Sequence, residues 1–397
     1  MHFLSDLPGR DPLEVVRRFT PNWFAACMGT GILALMLDVF PYGGGLQTLA
    51  ARGLWSFNVV FFLLSSLLFA GRALFYPRSF RLLFGHPVQS LYLGAIPMGM
   101  ATIVNGLLLL WPPEEPFLVT AHVLWWLDVL LSVASVLLVP FFMFTSQHHS
   151  IEQMTGAWLL PVVPPEVAAA SGGLLALHLP AIEAQDAVYV SYVLWSISVL
   201  LAMGILAILL LRLALHKLPH RDMAASAWLP LGPLGTGAMG MVTLGNADTA
   251  VFPERLHALA QFAQTGGVLV ALLLWGFGLW WMAMALLFTL RYLREGLPFN
   301  MGWWGFTFPL GVFSAATYAL AGKTGFWMFA PMATAFTVML AFFWVLVTWK
   351  SFLGLWTGSL FQAPCLSPET GMLDPECNAP ATVPAGEDFP GAHGKQH

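Results

Sequence analysis

Charge is what this sequence has least of. Lys, Arg, Asp and Glu make up 9% of its 397 residues, against roughly 25% in a soluble domain. A water-facing surface cannot be built from so few, and a hydrophobic content of 58% places the chain in a bilayer. Cysteine is scarce too. Cys27, Cys365 and Cys377 form no CxxC pair, which excludes a disulfide framework. No basic cluster interleaves with aromatics, so nucleic acid is not an expected partner. The first twenty residues lack the positive start, apolar core and small-residue cleavage site of a signal peptide. Targeting then falls to the first membrane helix. No nucleophile stands beside a base and an orienting group. An enzyme is not expected, nor a metal or cofactor.

What is present is a series of long apolar runs. A membrane span takes about 20 apolar residues, and ten segments qualify: 21–39, 55–75, 90–111, 117–144, 157–178, 187–211, 228–247, 261–290, 302–321 and 327–349. The expected fold is an all-α polytopic membrane protein with ten transmembrane helices. Residues 1–20 form a cytoplasmic N-terminal segment and 21–350 the membrane domain. Residues 351–397, rich in Pro, Gly and acids, read as a disordered cytoplasmic tail. The segment Gly45–Gly53 is too short to span and is expected at the interface. With both termini in the cytoplasm, thirteen Lys and Arg fall inside and three (Arg52, Arg255 and Lys323) outside. That bias satisfies the positive-inside rule for an inner (plasma) membrane protein.

The stretch WWGFTFPLGVFSAAT, residues 303–317, shows how the spans are organised. Proline inside a helix removes a hydrogen bond, here freeing the Gly305 carbonyl. In hydrocarbon that group must find protein or a water-lined cavity. Phe308 precedes the proline, where a bend could turn its ring to a lumen. The other odd-numbered spans repeat the design: PNWFAACMGTGI, LGAIPMGMATIVNG, WLLPVVPPEVAAASGG and WLPLGPLGTGAMGMVTLG. The even spans are mostly plain apolar helices, with Pro140 near the end of the fourth. Pairing each odd span with the next gives five helical-hairpin repeats, with bent helices inside, straight ones outside and a central pore.

Pro97, Pro164, Pro233 and Pro309 mark the expected bends. Thr30, Thr102, Asn105, Thr236, Thr243 and Thr307 would line the path, unless each hydroxyl bonds back to its own helix. Half-helix N-termini can stabilise an anion without Lys or Arg. Two carboxylates fall within spans and are candidates for proton coupling. Asp128 would otherwise pair with a polar group on the third or fifth span. Glu166 would otherwise cap a half-helix. His122 and His178 read as interfacial anchors, and His148–His149 as a weak metal signal. Outer loops carry Glu114, Glu115, Glu183, Asp186, Asp248 and Glu254, which would thin anions outside and favour export.

FTPNWFAACMGTGI, HPVQSLYLGAIPMGMATI, WWLDV, MTGAWLLPVVPPEVAAASGG, LGPLGTGAM and WWGFTFPLG occur in this order over residues 19–350. Together they resemble the tellurite-resistance/dicarboxylate transporter family. That family includes fungal malic acid permeases, sulfite efflux pumps, a bacterial tellurite-resistance protein and plant slow anion channels. The resemblance implies ten helices in five hairpins, one anion pore per subunit and a homotrimer. It also implies that a phenylalanine of the ninth helix occludes the pore, a role that TFP gives to Phe308. MGTGI and WLLPVV look closest to the malate and sulfite branch. The substrate expected first is malate or another C4-dicarboxylate. A passive inorganic anion channel or a sulfite efflux protein is the alternative.

Overall fold

The computed structural model describes residues 12–112, 114–357 and Leu360. Expectations for residues 1–11 and for the tail from 361 onward lie outside the described residues. Among the described residues there is no strand. The helices are α1 (Pro12–Arg18), α2 (Trp23–Asp38), α3 (Leu46–Phe75), α4 (Pro77–Gly85), α5 (Ala95–Leu109) and α6 (Glu115–Thr145). They continue with α7 (Pro164–Ala176), α8 (Ala181–His216), α9 (Leu231–Val251), α10 (His257–Glu295), α11 (Phe308–Thr324) and α12 (Phe329–Trp356).

Two kinds of helix alternate. The long ones, α3, α6, α8, α10 and α12, run from 28 to 39 residues. At about 1.5 Å per residue each exceeds a hydrocarbon core of about 30 Å. They leave leucines, valines and phenylalanines exposed, such as Val60, Leu64 and Leu67 on α3 and Leu269 and Leu273 on α10. Those faces suit lipid. The short ones, α2, α5, α7, α9 and α11, are mostly buried; in α7 only Leu174 escapes burial. By length and composition six segments can cross a membrane: the five long helices and Gln89–Leu109. The chain is a multi-pass membrane protein.

Four short helices fall below that measure: α2, α7 and α11 have only 16, 13 and 17 residues, and α9, with 21, is diluted by glycine. The 13 residues of α7 reach only about 20 Å. A 3-10 turn, Gly156–Leu159, precedes it, and similar turns at Gln89–Gly94, Arg221–Trp228 and Met301–Phe306 precede α5, α9 and α11. Irregular backbone at membrane depth survives only when protein covers it, and the long helices provide that cover.

The prolines therefore do not bend helices, as expected from sequence, but start them. Pro164 and Pro309 occupy the first turns of α7 and α11, and Pro97 and Pro233 are the third residues of α5 and α9. In the first turn the missing N–H has no intrahelical acceptor to lose. Two boundaries also change. Gly45–Gly53 is not a separate short segment; from Leu46 it is the first part of α3. Residues 351–356 belong to α12 rather than to the tail.

The short helices close on themselves. α2 packs against α5, α5 against α7, α7 against α9, α9 against α11, and α11 against α2. Each also packs on the long helix that follows it in the chain. The 3-10 turns approach backbone to backbone. A Cβ at Gly94 would coincide with the Leu160 carbonyl, and one at Gly156 with the Ser226 carbonyl. Backbone cannot yield as a side chain can, so Gly94→Ala and Gly156→Ala should each cost about 1–3 kcal/mol. Thermal melts of the detergent-solubilised variants check this. Unchanged melting for both would mean that the turns are spaced more widely than described.

Candidate functional site

Phe308 opens α11 and is 2% exposed, yet among the described residues its ring stacks on no other aromatic. It faces a small cavity of about 10 Å³ with Pro309, Met28 and Met98. Leu159, Leu160 and Val163, ahead of α7, and Leu229 and Gly232, at the start of α9, complete the wall. All five short helices thus contribute, each through its N-terminal part or the turn before it. Such a space holds about one water molecule. Its wall is neutral, and several helix N-termini lie around it, which favours a negative charge without a fixed cation. A second cavity of about 30 Å³ shares Met28, Leu160 and Leu229 with the first and reaches Tyr92, Ser226 and Asn300. The two lie in series towards the 3-10 turns.

The neighbouring phenylalanines are spoken for. Phe306 stacks on Phe343 and meets Trp228 and Trp303 edge-on. Phe313 stacks on Trp275 and meets Phe336. Met28 and Met98 were not anticipated. Each precedes a glycine, in MGT and MGM, and that repeated pair is the signal that could have found them.

Most of the expected path residues lie elsewhere. The Thr30 hydroxyl accepts the Trp344 indole N–H of α12 at 3.0 Å. Thr102 accepts from Asn58 of α3 at 3.3 Å and donates to the Gly99 carbonyl at 2.7 Å. Both therefore point at outer helices, contrary to the expected lining role. Thr243 donates to Gly240 and Thr307 to Trp304, both back to the preceding backbone. Asn105 is half-buried and its Oδ1 has no partner. A threonine on a Gly-rich helix can satisfy its hydroxyl locally and pack its methyl between helices, and that outcome prevails here.

Glu166 is fully buried in the first turn of α7. It does not cap the helix. Its Oε1 lies 3.1 Å from the Thr236 hydroxyl, whose single hydrogen is shared between that oxygen and the Gly232 carbonyl. Among the described residues its Oε2 has no hydrogen-bond partner; it lies beside Gly237, where Val199 of α8 and Leu274 of α10 close the space. The carboxyl thus sits between inner and outer helices, three residues along from Val163 of the cavity wall. Asp128 on α6 is also fully buried, and neither carboxyl oxygen has a hydrogen-bond partner. The expected pairing with the third or fifth span is absent among the described residues.

His122 lies 3.6 Å from Glu183 and accepts from Trp126, as an anchor near a helix end would. His178 is half-buried just beyond α7. His149 bonds Gln147 and packs on Trp158, and burial, then the neighbouring His148, holds its imidazole below the ordinary value. Asp248 is not a loop acid as expected. It is buried in α9 and accepts from Tyr192 at 2.5 Å.

The arrangement tests itself by labelling. Cysteines placed at Met28 or Met98 should react with a small water-soluble thiol reagent, and one at Thr102 should not. Native Cys27 is buried and turned to Ser65, so its background should be low. Labelling at Thr102 alone would move the path to the α2–α3 seam.

A closed ring of short helices, with their N-terminal ends around a neutral cavity and a lipid-facing jacket outside, is the frame of a membrane transport protein. The family model for the voltage-dependent anion channel matches residues 18–352, and the chain belongs to that family of anion transport proteins. It is 41% identical over 346 residues to the sulfite efflux pump of Arthroderma otae, covering 85% of this chain and 91% of that protein. It is 29% identical over 359 residues to an uncharacterized transporter of Methanocaldococcus jannaschii, covering 88% and 97%. With the malic acid transport protein of Schizosaccharomyces pombe it shares 21% over 374 residues, covering 91% and 85%.

Proposed function

We propose that this protein exports sulfite. The observation that carries the reading is the 41% identity to a sulfite efflux pump over 91% of its length. This reverses the order expected from sequence, in which malate or another C4-dicarboxylate came first; the malic acid transport protein stands at 21%. The cavity at Phe308 supports the same choice. A space that holds about one water must open less for a sulfur with three oxygens than for a four-carbon diacid. Export is supported by Glu114, Glu115, Glu183, Asp186 and Glu254, all exposed at the end of the bundle opposite the basic one.

In this reading ten crossings form five hairpins, and the short member of each faces the path. Both termini are cytoplasmic and the protein resides in the plasma (inner) membrane. Three chains assemble as a homotrimer with one path each, which the mass of the detergent complex tests. Phe308 gates the path, and Glu166 or Asp128 couples it to protons. Function is tested by loading purified protein into liposomes and following sulfite, malate and chloride, with and without a pH gradient. Sulfite flux should exceed malate flux per folded chain. Malate moving faster restores the dicarboxylate reading, and flux independent of a pH gradient makes the protein a passive channel.

A further inference from the structure

A second site lies away from the ring, where α8 and α10 end together. The chain between Lys217 and Arg221 closes over the C-terminal turns of both helices and leaves a pocket of about 760 Å³. Leu213, Leu287 and Phe288 form part of its apolar wall, while Lys217, Arg221 and Arg291 bring positive charge to it. One acid, Glu295, also lines it and pairs with Arg291 at 3.2 Å. Among the described residues Arg221 donates only to the Glu295 backbone carbonyl, at 3.3 Å, so its charge is not neutralised there. The Lys217 ammonium has no ion-pair partner among the described residues.

Lys217 is unusual in its backbone as well. It is the one non-glycine with positive φ among the described residues, at φ 61° and ψ −161°. Side-chain-bearing residues rarely occupy that region, and where they do the surroundings hold them there. Here Arg212 of α8 grips the Lys217 carbonyl and Tyr292 of α10 donates to the Pro219 carbonyl. The loop is fixed over the pocket from both helices.

We propose that this pocket binds the phosphate headgroup of an anionic phospholipid, with its acyl chains along the groove between α8 and α10. Charge complementarity selects a phosphate, since Lys217 and Arg221 exceed the single, already paired acid. The apolar wall selects a lipid over free phosphate. Leu218 and Pro219 of the loop complete that wall. A basic pocket between membrane helices on the positively charged side matches such a headgroup in depth and sign.

Native mass spectrometry of the full chain, titrated in detergent with phosphatidylglycerol, phosphatidylcholine or inorganic phosphate, tests this. The wild-type chain should retain one phosphatidylglycerol in preference to phosphatidylcholine, and inorganic phosphate should not displace it. A basic side chain near an anionic surface contributes about a factor of five. Lys217→Gln with Arg221→Gln should therefore weaken retention roughly 25-fold, while Arg78→Gln with Arg81→Gln on α4 leaves it unchanged. Equal binding of both lipids to the wild-type chain overturns the proposal without any variant. So does displacement by inorganic phosphate, or undiminished retention by the Lys217/Arg221 variant.

Discussion

Phe308→Ala should raise anion conductance about tenfold or more per folded protein, while Phe306→Ala and Phe313→Ala should not. An aromatic ring blocks a hydrated anion because it fills the lumen and offers nothing in place of the lost hydration shell. Phe308 alone of the three faces the cavity shared by all five short helices. Phe306 and Phe313 are packed into ring clusters between helices. Truncating those two leaves a hole in the core, at a cost of roughly 3–5 kcal/mol each. The two kinds of change thus differ in sign as well as size: one opens a path, the others loosen a wall. Currents in planar bilayers, normalised to correctly folded protein, separate them. A well-folded Phe308→Ala with wild-type or lower conductance would remove the ring from the mechanism.

Glu166→Gln should abolish the dependence of flux on a pH gradient. The substitution preserves shape and lets the side-chain oxygen keep its bond from Thr236, so stability should change by no more than about 1 kcal/mol. What it removes is the ability to hold and release a proton. Glu166 suits that task by position. It lies one turn from the cavity wall at Val163, and Oε2 has no partner that would tie it to one state. Sulfite efflux from liposomes with and without an imposed gradient gives the measurement. Full pH dependence in the variant reduces Glu166 to a spacer between α7 and α9 and passes the role to Asp128. Asp128→Asn is then the informative comparison, because both carboxyl oxygens of Asp128 are also unpartnered.

Of the expected site residues only Phe308 and Pro309 line the cavity. TFP pointed to Phe308, and the cavity lies there. The threonines misled. Their spacing on Gly-rich helices was compatible with a lining role, yet Thr30 and Thr102 bond to tryptophan and asparagine side chains on outer helices. Those partners, Trp344 and Asn58, lie 314 and 44 residues away in the chain, beyond the reach of any local pattern. For Met28 and Met98 the one sequence signal is the glycine after each, because an apolar side chain in an apolar helix does not itself show which way it faces.

The alternation of Pro/Gly-rich and plain apolar runs, and the scarcity of charge, follow from the sequence alone. They determine a membrane protein with two classes of helix, because hydropathy and backbone chemistry are local properties that no packing can reverse. Whether a proline bends a helix or begins one was decided only in three dimensions. Pro309 and Pro164 are compatible with either, and the choice depends on whether the chain before them can fold as a 3-10 turn under cover of other helices. Closure of the ring was likewise a tertiary outcome, since the contact of α11 with α2 joins the two ends of the membrane domain. Only that closure sets Met28 beside Phe308 and makes one cavity out of five separate helix starts.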